Sequence, residues 1–324
     1  IQDKLLNNHG GLYNRVTYEI KLSPFNLKEC EDFYKSNNVK FSRYDIAQSY
    51  MIFGGIPYYM GYINPTKSLA QNVDQIFFKK NAILRDEYNR LFASIFVNPE
   101  AVKNIVQLLY TRNAGFTRKE IVEKLGITDG GRLSSNLNAL ISSDFIIKYV
   151  PFGCGKREEH YKLIDPFCMF YLYFILNQKR ISEKFWQQNV SSPAVSIWRG
   201  FAFENVCFNH IEQIKRALGI SGVITETSAW SKKEDDTEGT QIDMLISRND
   251  NVINMCEIKY YGDEFKVNKE YYLKLLKRQT ILAENVSPKV AIHSTLITTF
   301  GLSLNEYSGA FSSVIVLDDL FKDE

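Results

Sequence analysis

The residues best suited to chemistry in this 324-residue chain are two carboxylates and a lysine, Asp243, Glu257 and Lys259. Apolar and polar residues alternate over 241–246 and again over 252–259, a pattern that predicts two β-strands. A symmetric turn between these strands places Asp243 directly opposite Glu257, because the two are equidistant from its centre. Lys259 then lies on the same face of the hairpin, one pleat further along.

This arrangement predicts a metal site. Carboxylates that face each other across two strands have Cβ atoms roughly 4.5–5.5 Å apart and repel, so a bound cation would remove the conflict. Carboxylate oxygens suit Mg²⁺ or Mn²⁺, which can activate water for phosphodiester hydrolysis. We therefore expect Asp243 and Glu257 to be metal ligands. Lys259 is expected to position the attacking water or to stabilise the phosphate in the transition state.

The same hairpin register pairs four apolar residues. Ile242 is expected to face Ile258, and Met244 is expected to face Cys256. These residues alternate with the carboxylates and the lysine along both strands, so they occupy the other face. The sequence therefore predicts a hairpin with one apolar face and one chemical face.

Composition limits the classes of function. The net charge of +2 provides no general attraction to nucleic acid, so any such contact must come from local patches. The five cysteines are scattered without Cys-x-x-Cys spacing, which predicts reduced thiols in a cytoplasmic protein. No apolar stretch reaches the roughly 20 residues that span a bilayer, and the apolar run at 167–176 predicts a buried helix, so no membrane partner is expected. The chain begins at Ile1, and we expect it to be part of a longer protein.

Residues 96–165 predict a winged helix-turn-helix. Amphipathic helices are indicated over 99–112 and 131–143, with a short helix between them that begins at a Thr117/Glu120 capping box. Two β-like runs follow and form the wing. If this unit binds DNA, its third helix and its wing carry the contacts to bases and phosphates. The residues expected to make these contacts are Arg132, Ser135, Asn136, Lys156 and Arg157.

Residues 198–324 resemble the PD-(D/E)xK nuclease superfamily. The chain has Gln241-Ile242-Asp243 and then Glu257-x-Lys259, preceded by a helix from Trp198 and followed by a helix over 265–284 and a strand over 289–297. The resemblance implies an αβββαβ unit with a mixed sheet, and it implies that Glu204, on the first helix, is an accessory catalytic ligand. The chain departs from many members in lacking a proline before the aspartate.

The whole chain resembles the C-terminal part of an archaeal-type AAA+ ATPase. The matching pieces are Pro24-Phe25, Gly54-Gly55-Ile56-Pro57, the Asp165-Pro166-Phe167 segment and Phe203-Glu204. The resemblance implies a multidomain α+β protein. Its parts would be an all-helical lid remnant over 1–95, the winged helix over 96–165, a helical connector over 166–197 and the nuclease-like domain over 198–324.

The chain has no Gly-x-x-x-x-Gly-Lys-Ser/Thr phosphate loop. The resemblance therefore implies that ATP binds only to an upstream ATPase core, which is an expected partner, and that this chain alone hydrolyses none. The Gly54-Gly55-Ile56-Pro57 segment has a second interpretation as a simple turn that ends a helix.

Two other hypotheses for the function of this domain are consistent with the sequence. In one, the nuclease-like domain is a non-catalytic regulatory or DNA-binding module in which the carboxylates and Lys259 form a partly solvated ion pair. In the other, the domain is a platform for a protein partner, with Tyr260, Tyr261, Tyr271 and Tyr272 as aromatic contacts. Buried packing explains these tyrosines equally well.

Overall fold

Helices account for about half of this mixed α/β chain, and the strands of its described residues form two sheets. A computed structural model describes residues 17–18, 20–176, 182–234 and 237–322. Among the helices of these ranges, none is both long and apolar enough to cross a membrane.

The described part of the first 95 residues is helical, as predicted. Its helices are α1 (Leu27–Ser36), α2 (Arg43–Phe53), α3 (Pro57–Met60), α4 (Leu69–Val73), which continues into a π-helical turn at Asp74–Phe78, and α5 (Glu87–Ile95). Residues 1–16 and 19 of the predicted lid lie outside the described residues.

A glycine pair ends α2. Gly54 caps the helix at φ 68°, and Gly55 follows at φ 67°. A Cβ atom on Gly55 would lie 2.1 Å from the carbonyl oxygen of Phe25, whose own N–H donates to Gly55 O at 2.8 Å. Only glycine fits such a close approach in the left-handed region. The geometry therefore supports the interpretation of this segment as a helix-ending turn.

The next section contains three helices and a small antiparallel sheet. The helices are α6 (Pro99–Tyr110), α7 (Arg118–Leu125) and α8 (Gly131–Ser142), and the strands are β1 (Phe116–Thr117), β2 (Ile146–Tyr149) and β3 (His160–Leu163), in the order β1-β3-β2. Thr117 and Glu120 form the predicted capping box, and Gly126 ends α7 in the left-handed conformation. The strand β1 was not predicted, because two residues carry no periodicity.

Four helices lead to the second sheet. They are α9 (Pro166–Phe174), α10 (Phe185–Asn189), α11 (Pro193–Asn209) and α12 (Ile211–Ala217). The helix α9 is buried, as predicted. The helix α11 begins five residues before the predicted start at Trp198, because Ser192 caps it and Pro193 occupies its first turn.

The second sheet has five strands in chain order, β4 (Thr225–Glu234), β5 (Thr237–Arg248), β6 (Val252–Lys259), β7 (Ala291–Thr298) and β8 (Ser313–Val316). The strands β4, β5 and β6 pair antiparallel, whereas β7 and β8 add in parallel, so the sheet is mixed. The helix α13 (Lys269–Ala283) connects β6 to β7. The predicted order of elements is present, and β8 is a strand that was not predicted.

Both faces of this sheet are apolar, which corrects the prediction of one apolar face. Met244 and Cys256 pack in the core that includes α11, and Leu245 and Met255 pack in the core that includes α13. All four side chains are fully buried. The physical reason is the helical crossover between parallel strands, which covers the second face of a mixed sheet.

A buried histidine joins the first helical section to α11. His210 follows the last residue of α11 and has no exposed surface. Its Nδ1 donates to the carbonyl oxygen of Val206 at 2.8 Å, and its Nε2 accepts from the N–H of Leu27, the first residue of α1, at 2.9 Å. Accepting at Nε2 requires a neutral ring. Burial lowers the pKa of His210 to about 4, and its bond to Val206 opposes this shift.

This histidine is expected to make the fold sensitive to acid. Its pKa in the folded chain lies below the ordinary value of 6.5, so the unfolded chain takes up the proton first. The contribution of neutral His210 to the free energy of unfolding is therefore fully present above about pH 6.5. It falls by about 3 kcal/mol as the pH decreases towards about 4. Urea unfolding across this range should show the loss in the wild type and in His293→Gln, which alters an exposed histidine. An equal loss in His210→Gln would contradict this assignment.

Candidate active site

The hairpin of β5 and β6 has the predicted register over part of its length. Met244 pairs with Cys256, and the ladder runs from there to the pair Ser247 and Ile253. The prediction that Ile242 pairs with Ile258 is wrong. Ile242 pairs instead with Trp230 of β4, and it packs in the core on the α13 side. The β5–β6 ladder ends just before Asp243, so the predicted pair of Asp243 and Glu257 is not part of it either.

A β-bulge explains where the ladder ends. Between the pairs Ser228/Leu245 and Trp230/Ile242, β5 contains one residue more than β4. Such a bulge bends the strand and re-aims a side chain. The side chain of Asp243 turns to β6, where its Oδ2 accepts from the backbone N–H of Ile258 at 2.9 Å. The carboxylate thus takes the place of a backbone acceptor.

Three oxygen atoms surround the ammonium group of Lys259. Its Nζ lies 3.3 Å from Asp243 Oδ2, 3.5 Å from Glu257 Oε2 and 3.1 Å from the carbonyl oxygen of Ile258. Burial lowers the pKa of Lys259, but the charges of Asp243 and Glu257 more than compensate and raise it above its ordinary value. Oxygens from two strands therefore converge on one position that favours a cation. We call these three oxygens, from Asp243, Glu257 and Ile258, the oxygen cage.

The buried carboxylate of Glu257 is paired with groups from α13. Its side chain has no exposed surface, and both of its oxygens lie 2.6 Å from Nη1 of Arg278. The hydroxyl of Tyr271 donates to Oε2 at 2.8 Å. We expected the two facing carboxylates to require an external cation, whereas Lys259 and Arg278 already supply positive charge. Tyr271 and Arg278 are seven residues apart and so share one face of α13. This spacing is visible in the sequence and could have indicated that both contact the same group.

Glu204 lies on α11 and is held by residues of the preceding section. Its Oε2 accepts a hydrogen bond from Asn113, and the Oδ1 of Asn113 accepts from Nζ of Lys162 at 3.1 Å. Lys162 on β3 is only 3% exposed. Burial and then the charge of Asp243 raise the pKa of Glu204 to about 7, and burial lowers the pKa of Lys162 to about 8. Neither Asn113 nor Lys162 was predicted from the sequence.

Two cavities meet at Glu204 and Phe201. The first, of about 610 Å³, is a cleft that is also lined by Lys259 and by Arg199. The second, of about 420 Å³, is also lined by Asp243, with Asn113 and Lys162 among the residues around it. The structure therefore places Glu204, Asp243 and Lys259 at two neighbouring cavities, and the side chain of Glu257 is fully buried.

The oxygen cage fits a hard cation by the chemistry of its donors. Mg²⁺ and Mn²⁺ take carboxylate and carbonyl oxygens, and Mg²⁺ usually keeps several water ligands as well. The cage offers Asp243, Glu257 and the carbonyl oxygen of Ile258. Across the described ranges, no three histidine, cysteine, aspartate or glutamate side chains are grouped closely enough to hold a metal by themselves. A metal here would therefore need the main-chain oxygen and water.

The residues predicted to contact nucleic acid lie on α8 and at the turn before β3. Arg132 and Ser135 are exposed on α8, and Asn136 is half-buried. Arg157 is exposed in the short 3₁₀ turn Lys156–Glu158, while the side chain of Lys156 lies outside the described part of the chain. None of these described side chains lines the two cavities that meet at Glu204.

Comparisons with known proteins reveal relatives without an assigned function. No model of a protein family matches the chain. The chain is 22% identical over 284 residues to "Uncharacterized protein MJECL04" of Methanocaldococcus jannaschii, a match that covers 86% of this chain and 62% of that protein. The chain thus spans less than two thirds of the relative's length.

Among solved structures, the chain is similar to "Crystal Structure of Protein of Unknown Function AF1548". The TM-score is 0.25 with 15% identity, over 35% of this chain and 62% of that chain. So low a TM-score carries no argument, and neither name states an activity.

Proposed function

We propose that this chain is a metal-dependent phosphodiesterase that acts on nucleic acid, with a PD-(D/E)xK nuclease-like domain over 198–324. The observation that carries the proposal is the oxygen cage beside a cleft. Asp243, Glu257 and Ile258 direct oxygens to one cationic position, which the ammonium group of Lys259 occupies. Glu204 lines the same cleft. Oxygen ligands for a metal and a cationic side chain at one cleft are groups that can support phosphodiester hydrolysis.

Each residue of the site has a distinct task in this proposal. Asp243, Glu257 and the Ile258 carbonyl would hold Mg²⁺ or Mn²⁺, which lowers the pKa of bound water and offsets charge on the phosphate. Lys259 gives up its place among the oxygens and turns its ammonium group to the phosphate, where it stabilises developing negative charge. Arg278 and Tyr271, both on α13, hold the carboxylate of Glu257 in place by hydrogen bonds. Asn113 orients Glu204, the accessory ligand.

The wider assignment also belongs to this proposal. We place a winged helix at 96–165, a connector at 166–197 and a helical lid remnant at 1–95, as in the C-terminal part of an archaeal-type AAA+ ATPase. The antiparallel β1-β3-β2 sheet after α6, α7 and α8 supports the winged helix. Exposed Arg132 on α8 would face the major groove of DNA, and exposed Arg157 would contact a phosphate. ATP would bind only to the upstream core, which would control access to the site.

Metal binding is tested by thermal unfolding and by calorimetric titration with Mn²⁺. At about 100 times its dissociation constant, a metal that binds only the folded chain adds ~2.7 kcal/mol of stability. We expect this gain in the wild type and its loss in Asp243→Asn, which keeps an oxygen for the Ile258 N–H. The matched control is Asp250→Asn, in the exposed turn of the same hairpin, where Arg248 pairs with the carboxylate. An equal gain in Asp243→Asn would contradict the assigned site.

A second candidate function is a non-catalytic module of the parent ATPase, and one observation favours it. The site has three carboxylates, Glu204, Asp243 and Glu257, and three cationic side chains stand close to them: Lys162, Lys259 and Arg278. Their charges balance without a metal. If this candidate is correct, Mg²⁺ adds no stability to the wild type, and Asp243→Asn binds nucleic acid as well as the wild type does.

A further inference from the structure

An arginine at the cleft has an unused hydrogen-bonding capacity. Arg199 lies on α11, five residues before Glu204, and is only 9% exposed. Its Nη1 donates to the carbonyl oxygen of Val190 at 2.9 Å. Its Nε and Nη2 are buried, and no residue that the structure describes accepts a hydrogen bond from them. A guanidinium is always charged, so burying it without an acceptor is unfavourable unless a ligand supplies one.

The partly unpaired guanidinium of Arg199 lies at a cleft that also contains a lysine. Arg199 lines the 610 Å³ cleft that also contains Lys259, and within the described ranges it forms no ion pair with a carboxylate. Tyr260 lines the same cleft, where its ring stacks on that of Tyr44. The planar fork of a guanidinium matches the oxygens of a phosphate. Two cationic side chains along one cleft suit two phosphates of a nucleic-acid backbone.

Aromatic side chains at the same cleft indicate the form of that nucleic acid. Phe201 is 46% exposed and Tyr261 is 50% exposed, and both line the cleft. Exposed aromatic rings beside a cationic groove bind unpaired bases by stacking. The bases of a duplex are already stacked on their neighbours and cannot reach such rings.

We propose that this cleft binds a single-stranded nucleic acid, with Arg199 holding the phosphate next to the one cleaved at Lys259 and with bases stacked on Phe201 and Tyr261. This inference rests on the proposed function for the identity of the cleaved phosphate. Arg199 acts here as a positioning residue for the strand.

Binding is measured without cleavage, by fluorescence anisotropy of a labelled oligothymidylate and a labelled duplex in EDTA over a series of salt concentrations. Each phosphate contact on a single strand contributes about 0.7 to the slope of log affinity against log salt concentration. Arg199→Gln is expected to weaken single-strand binding about tenfold and to reduce that slope by about 0.7. Arg85→Gln, which removes an exposed arginine outside the cleft, should change neither.

A second variant separates stacking from charge. Phe201→Ala removes an exposed ring and should weaken single-strand binding about tenfold, because stacking one base contributes ~1–3 kcal/mol, while the salt slope stays the same. Unchanged affinity and slope in Arg199→Gln would overturn the inference, and so would wild-type affinity in Phe201→Ala. Tighter binding of the duplex than of the single strand would also overturn it.

The midpoint of thermal unfolding of Arg199→Gln, compared with that of the wild type, tests whether Arg199 has a structural role. Removal of an unpaired buried charge should leave the midpoint of Arg199→Gln equal to or above that of the wild type. A lower midpoint with unchanged binding would assign Arg199 to the fold alone and overturn the inference. The proposed function can be rejected independently of this inference. If Arg199→Gln binds a single strand more weakly but the wild type cleaves no substrate, hydrolysis is rejected and the single-strand binding cleft is supported.

Discussion

Replacing Lys259 with methionine is expected to slow cleavage about 10²–10³-fold and, at the same time, to tighten the binding of a divalent metal. The ammonium group occupies the oxygen cage, 3.3 Å from Asp243 Oδ2 and 3.1 Å from the Ile258 carbonyl oxygen. Unit charges about 4 Å apart interact by ~4 kcal/mol at an effective dielectric constant near 20. Removing this competing charge should raise the metal affinity on the order of tenfold.

The same substitution removes the ammonium group that is proposed to contact the phosphate of the substrate. Loss of one such electrostatic contact lowers the rate about 10²–10³-fold. The measurements are calorimetric titration with Mn²⁺ and the rate of cleavage of a labelled oligonucleotide. The control is Lys289→Met, which changes an exposed lysine before β7. Weaker metal binding in Lys259→Met, or a cleavage rate equal to that of the wild type, would contradict the assigned role.

Replacing Arg278 with methionine is expected to destabilise the fold by about 3–5 kcal/mol, because it leaves the buried carboxylate of Glu257 without its closest cation. Glu257 has no exposed surface, and both of its oxygens lie 2.6 Å from Arg278 Nη1. A double variant, Arg278→Met with Glu257→Gln, should recover much of the loss, since the charge that needs compensation is gone. Urea unfolding near pH 7 measures both.

The control for this pair is Arg248→Met. Arg248 bonds to Asp250 in the exposed turn of the β5–β6 hairpin, and exposed pairs contribute about 0–1 kcal/mol. A loss below about 1 kcal/mol in Arg278→Met would show that Glu257 gains little from this partner. It would also imply that Lys259 and Tyr271 alone keep the carboxylate stable.

Local signals in the sequence predicted most of the elements. The Thr117 capping box and Gly126 define α7 because caps act within one turn of a helix. The hairpin register at Met244 and Cys256 followed from the spacing of the strands around their turn. The segment around Ser313 was missed, since four residues beside β7 gain strand structure only from the sheet.

The environment of the site depends on contacts that no local pattern encodes. A bulge in β5 turns Asp243 to Ile258, and it arises from the pairing of β5 with β4. Lys162 and Asn113 reach Glu204 from a section of the chain some 40 to 90 residues earlier. Such distant partners follow from how the sections pack, so no local pattern in the sequence predicted Lys162 and Asn113.

The central claim is that Asp243 and its neighbours hydrolyse phosphodiester bonds with a metal. The most direct test is cleavage of labelled single-stranded DNA, duplex DNA and RNA by the whole chain in Mg²⁺ or Mn²⁺, compared with Asp243→Asn and Asp250→Asn. We predict metal-dependent cleavage that is strongest on a single strand, is lost in Asp243→Asn and is retained in Asp250→Asn. Cleavage at the wild-type rate in Asp243→Asn, or no cleavage of any substrate by the wild type, would contradict the account.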